Sequence, residues 1–122
     1  FGLLGHLVEM FRASNTDVHL DLEAVPLLDG AGQTVAAGIL SSLQPQNVRL
    51  RRAVRDPESL SEHARYPLLF DPQTSGGLLA SVPAESATSC LDELHAFGYP
   101  QAVIIGRVER RATEVAPVQL IA

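Results

Sequence analysis

Asp71-Pro72-Gln73-Thr74-Ser75-Gly76-Gly77-Leu78-Leu79 compresses turn chemistry, hydrogen-bond donors and the start of an apolar run into nine residues. Pro72 fixes φ, and two adjacent glycines can take dihedrals closed to other residues. Thr74 and Ser75 add hydroxyls beside free backbone N–H groups, so the turn can close around an anion. It runs straight into Leu78 to Val82, which reads as a strand, and a donor-rich loop at the mouth of a strand is a common place for ligand contacts in α/β proteins.

Reading on from that loop, Pro83 suits the first turn of a helix, with Leu91, Leu94 and Phe97 on its apolar face. Gly98 fits the C′ position and Pro100 blocks continuation. Ala102 to Val108 is the strongest strand signal in the chain, and Val115 to Ile121 reads as a terminal strand. Strand, helix, strand from Leu78 to Val108 predicts a split β-α-β unit with a right-handed crossover.

Upstream, Leu3, Leu4, Leu7, Val8 and Phe11 recur at helical spacing, which predicts a helix from Phe1 to Ala13 ended by Ser14 to Asp17. Val18 to Leu22 alternates like a half-buried strand. An alanine-rich stretch after Gly32 predicts a short helix closed by Gly38. Ser41 to Asn47 reads as a loop, Val48 to Val54 as an exposed or edge strand, and Asp56-Pro57-Glu58 as a turn or short helical piece. The expected architecture is α+β: layered α/β/α, a mixed sheet covered mainly by the helices from Phe1 and Pro83.

The 122 residues suit a single domain able to bury a core. With 46% apolar residues and no apolar run near the ~20 residues that span a bilayer, a membrane-embedded chain is not expected. A formal charge of −5 argues against nucleic-acid binding, which neutralises several phosphates with Lys and Arg. Arg49, Arg51, Arg52 and Arg55 form the one basic concentration, either a solvated face, an anion-facing patch or a seam to another domain. There is no Lys. Cys90, the single cysteine, excludes an internal disulfide, fits a reducing compartment with cytoplasm as the default, and reads as a small buried hydrophobe.

The nine-residue run resembles a signature of the C-terminal domain of the selenophosphate synthetase (selenide, water dikinase) family, within the wider aminoimidazole ribonucleotide synthetase superfamily. Phe1-Gly2-Leu3-Leu4-Gly5-His6-Leu7 with Glu9-Met10, Ala37-Gly38-Ile39, and Ile105-Gly106-Arg107-Val108 agree in the same order, so the resemblance covers nearly the whole chain. It implies a three-layer α+β fold partly similar to ferredoxin-like domains. It also implies an intact enzyme that converts ATP, selenide and water into selenophosphate, orthophosphate and AMP. ATP and Mg²⁺ then belong to the intact enzyme and are not held by this chain alone. The reactive Cys or selenocysteine, a Lys and the magnesium aspartates lie in an N-terminal ATP-binding domain of the same chain. The intact enzyme is expected to be a homodimer. Phe1 opens inside a helix start, and the family has an Asp-containing segment just upstream, so the chain is expected to be part of a longer protein.

Within that resemblance the ligand- or phosphate-facing loop is Asp71, Gln73, Thr74, Ser75, Gly76 and Gly77. Asp71 either caps an Asx-type turn or faces magnesium or a phosphate-bearing ligand. The donors after it either form a nest for an oxyanion or make only a tight turn. His6 and Asn47 are domain-junction candidates. His6 and Glu9 share a helix face but are too few to hold a metal. Many relatives carry Gly-Gly-Thr before the Asn, whereas this chain has Ser41 to Gln46, so only Asn47 carries over. His19, His63 and His95 have no partner at ligand spacing and read as surface residues. No phosphate loop, dinucleotide fingerprint, zinc spacing or Ser/His/Asp triad is present. The rival readings are a non-catalytic regulatory or dimerisation module, and a superfamily enzyme acting on a purine intermediate.

Overall fold

The computed structural model describes residues 1–74, 76–112 and 116–122. Helix α1 spans Gly2–Ser14, and its buried positions Leu4, Leu7, Val8 and Phe11 form the spaced stripe seen in the sequence. Asn15 ends it in the left-handed region at φ 54°, which Asn tolerates better than most residues, and Arg12 lies in the last turn, favourable to the helix dipole.

Strand β1 (Thr16–Asp21) follows at once and becomes the centre of a three-stranded sheet. Strand β2 (Gly106–Arg110) pairs antiparallel to it, with Val18 opposite Val108, and strand β3 (Val118–Ile121) pairs parallel, with Leu20 opposite Leu120. The result is a mixed sheet in the order β2-β1-β3 packed by helices, an α+β arrangement.

One face of this sheet meets α1. Val18, Leu20, Leu22, Val118 and Leu120 pack with Leu4, Leu7, Val8 and Phe11, and Ala53, Val54, Leu69 and Phe70 complete the core. Each fully buried Leu or Phe contributes roughly 1.5–3 kcal/mol relative to exposure.

Four shorter helices, two of them 3₁₀, lie between β1 and the Asp71 loop. Helix α2 (Ala31–Ala36) is closed by Gly38 as expected, with Gly38 N–H donating to the Val35 carbonyl and Ile39 N–H to the Thr34 carbonyl. Helix α3 (Gln44–Asn47), with Pro45 in its first turn, runs directly into a 3₁₀-helix at Val48–Ala53. A second 3₁₀-helix, Tyr66–Phe70, delivers the chain to Asp71.

Four expectations are corrected. Val48 to Val54 is not a strand, because Leu50 and Ala53 point inward and Arg49 and Arg52 outward at a period of three. Ser41 to Asn47 is not wholly a loop, since its last four residues are α3. Leu78 to Val82 forms no strand, since it pairs with neither outer edge of the sheet, and Leu78 is fully exposed. The strand expected at Ala102 begins only at Gly106, although the Ile105 carbonyl still accepts the Asp21 N–H. The split β-α-β unit is therefore not assembled.

Helix α4 (Ala87–Ala96) forms where the sequence places it, and Gly98, at φ 94°, closes it with Tyr99 N–H on the Leu94 carbonyl. It buries no residue, so it does not cover the sheet as expected, and Cys90 on it is half-buried. The terminal strand starts at Val118, and Val115, where the sequence placed its start, lies outside the described residues. No helix among the described residues is long and apolar enough to cross a membrane.

Candidate functional site

The Asp71 loop is held rigidly at its root and left free at its tip. Tyr66–Phe70 packs against the start of α1, where Gly2 sits at φ 69° and a Cβ would come within 2.6 Å of the Leu69 carbonyl oxygen. Only glycine fits that approach. On the other side, Gln44 Nε2 donates to the Pro67 carbonyl at 2.8 Å and Asn47 Nδ2 donates to the Phe70 carbonyl at 3.0 Å. Tyr66 and Phe70 stack edge to face with centroids 5.3 Å apart, stiffening the same turn. The carbonyls of Pro67 and Phe70, three residues apart in the short helix, are thus both held just before Asp71.

Beyond Phe70 the backbone opens. Asp71 is half-buried with extended ψ, while Gln73, Thr74, Gly76 and Gly77 are exposed. Among the described residues the amides of Gln73, Thr74, Gly76 and Gly77 donate no hydrogen bond, and the Asp71 carboxylate accepts none. The Asx-type cap is therefore not made. Neither Gly76 nor Gly77 has positive φ, so the turn does not use the left-handed freedom read from the sequence. A Cβ on Gly76 would meet Gln73 Oε1 at 2.8 Å, whereas one on Gly77 would meet nothing within 4 Å. Ser75 lies outside the described residues. Unused amides and the Thr74 hydroxyl at a solvent-facing tip form a donor set suited to an oxyanion.

His6 and Asn47 do not share an environment. His6 is exposed on α1 with Nδ1 3.6 Å from Glu9 Oε2, while Asn47 is 8% exposed and its amide is spent inside the protein. Among the described residues no group of three His, Cys, Asp or Glu side chains is placed to hold a metal ion.

The surface assignment is corrected for His19 and His63, which are partly buried, and holds for His95, which is exposed. His19 pairs with Glu109 at 3.1 Å and His63 with Glu23 at 2.9 Å, each about one-fifth exposed, while His95 Nε2 lies 2.8 Å from the Ala102 carbonyl. Of the four arginines read as a basic concentration, Arg49, Arg51 and Arg52 are exposed and Arg55 is half-buried.

Sequence reasoning missed two structural devices. Asp17, assigned to a helix end, is buried and ion-paired to both Arg55 and Arg111, with the Ala112 N–H on its Oδ2 at 2.9 Å. Burial pushes its carboxyl up, but the Ala112 amide and the two guanidinium groups outweigh that and hold it below the ordinary carboxylate value. Arg65 donates through Nη1 to the carbonyls of Leu22, Glu23 and Val25, bracing the turn after β1. Asp17 left no periodic signal, because Asp17 and Val18 are both buried on opposite faces of β1.

Comparison with known proteins adds the family. The family model described as AIR synthase related protein, C-terminal domain, matches residues 1–119. A selenide, water dikinase from Myxococcus xanthus is 41% identical over 110 residues, covering 89% of this chain and 31% of the relative. Selenide, water dikinases from Shewanella baltica (40% over 115 residues, 94% of this chain, 32% of the relative) and Peptoclostridium acidaminophilum (36% over 108 residues, 88% and 31%) agree. The chain spans about a third of the length of these curated relatives.

Proposed function

The chain belongs to the family of AIR synthase related protein C-terminal domains, and from that premise we propose that it is the C-terminal domain of an ATP-dependent selenophosphate synthetase. The intact enzyme would turn ATP, selenide and water into selenophosphate, orthophosphate and AMP in the cytoplasm, as a homodimer. The observation that carries this reading is 41% identity to a selenide, water dikinase over 89% of the chain.

In this reading residues 1–122 are one domain forming a wall of the cleft, and the N-terminal ATP-binding domain of the same polypeptide supplies the nucleophile, the Lys and most of the magnesium ligands. Phosphoryl transfer asks mainly for positioning and electrostatic stabilisation. The contribution of this wall is donors: the amides at Gln73, Thr74, Gly76 and Gly77, with the Thr74 and Ser75 hydroxyls, face the phosphate end. Among the described residues the four amides and the Thr74 hydroxyl make no hydrogen bond, so turning them toward a phosphate breaks none of the bonds described.

A carboxylate and a phosphate approach each other only with a cation between them. Asp71 would therefore be this chain's one oxygen donor toward the magnesium of the intact enzyme, and alone it is too few to hold the ion. His6, exposed beside Glu9, would meet the neighbouring domain.

The experiment is steady-state kinetics of the full-length protein carrying Thr74→Val or Gly76→Val. Turnover or ATP affinity should fall about 10-fold or more, as for loss of one oriented donor. Unchanged turnover and unchanged ATP affinity in both variants would remove the loop from the site.

A further inference from the structure

We propose that Gln44 and Asn47, one turn apart on α3, act as a two-pronged bracket that sets the direction in which the Asp71 loop leaves the core, making Asn47 a positioning residue for phosphoryl transfer. The inference rests on the reading of that loop as phosphate-facing. Both residues are more than nine-tenths buried.

Gln44 Nε2 holds the Pro67 carbonyl and Asn47 Nδ2 holds the Phe70 carbonyl, three residues further on. In a 3₁₀-helix residues three apart are eclipsed, about 6 Å along the axis. The two amides on α3, themselves three apart, therefore match two carbonyls on one side of Tyr66–Phe70. Gly2 closes the opposite approach at Leu69. Phe70 is the last gripped residue, and beyond the Asp71 N–H, which bonds back to the Leu68 carbonyl, the Asp71 side chain has no partner among the described residues.

This division of labour explains why the sequence keeps polar amides in the core. An apolar side chain at Asn47 would leave the buried Phe70 carbonyl without a donor, and the chain would repair that by rotating the peptide that aims Asp71. Gln44 accepts an additional cost, because its buried Oε1 has no partner among the described residues. Displacing reacting groups by about 1 Å can cost roughly 100-fold in rate.

The test is a double-mutant cycle in the full-length protein, following AMP formation from ATP and selenide. Asn47→Ala should lower kcat by about 10- to 100-fold with a smaller change in the KM for ATP, and Thr74→Val should lower it separately. The double variant should lose little more than the worse single variant, because both act through one loop. Leu120→Val, in the core away from the loop, serves as a stability-matched control and should keep kcat per folded molecule.

Should Asn47→Ala fail to fold, Gln44→Met removes the Pro67 bond at nearly constant volume, discards the unpartnered Oε1, and should show the same kcat loss with no loss of Tm. Multiplicative losses in the double variant, or an Asn47→Ala loss no larger than that of Leu120→Val, would overturn the bracket while leaving the loop reading intact. With Thr74→Val silent as well, the loop reading falls together with it.

Discussion

Arg55 pairs with Asp17 across 38 positions of sequence, joining the start of the central strand to the segment that follows the first 3₁₀-helix. Its Nε also donates to the Ala116 carbonyl at 2.9 Å, so a single guanidinium ties β1 to the approach to β3.

Removing the carboxylate should be severe. Asp17→Ala leaves Arg55 and Arg111 facing each other without their common counter-charge and strips the Ala112 N–H of its acceptor. A cost of about 3–5 kcal/mol is expected from breaking a buried pair on one side only, read as a lower urea midpoint at unchanged m-value.

The same carboxylate sets an acid response. Its folded-state value lies below the ordinary 3.8, so the unfolded chain takes up its proton first as pH falls. The stabilisation is fully present above about pH 5 and is lost as pH drops through the folded-state value. Urea unfolding at pH 6 and near pH 3 should show this loss in the parent protein and a smaller one in Asp17→Asn.

Gly2 and Gly77 should respond oppositely to alanine. At Gly2 the added Cβ meets backbone at 2.6 Å in a left-handed conformation, so Gly2→Ala should cost more than the ~1–2 kcal/mol of the dihedral alone. At Gly77 there is open space and no positive φ, so Gly77→Ala should change stability by no more than about 0.5 kcal/mol. Paired thermal unfolding curves check both.

Arg65→Ala tests the brace on the turn after β1. Three carbonyls lose one shared donor, and a loss of about 1.5–3 kcal/mol is expected for hydrogen bonds from a charged group. Amide exchange at Glu23 and Ala24, whose N–H groups bond to Asp21 Oδ1, should quicken in the variant.

The parts legible in the sequence are those where one period had room to repeat. Leu4, Leu7, Val8 and Phe11 recur over about two turns of α1, and Gly38 and Gly98 close their helices as positive-φ residues. Val48 to Val54 is too short to separate period two from period three, and α3 feeding into it selects the tighter helix. Leu78 to Val82 has strand-forming residues, but a strand is made by pairing with a remote neighbour, which no local pattern reports, and this segment joins neither edge of the sheet. The loop itself stood out by composition. Its anchoring did not, since Gln44, Asn47 and Gly2 reach it from remote positions through backbone carbonyls that carry no side-chain signature.

The most direct measurement is phosphorus NMR of the full-length protein incubated with ATP, Mg²⁺ and selenide. Selenide-dependent formation of a phosphorus–selenium product alongside AMP and orthophosphate, diminished by Thr74→Val, is the result expected here. ATP consumption that is indifferent to selenide, with no phosphorus–selenium species, would contradict the account.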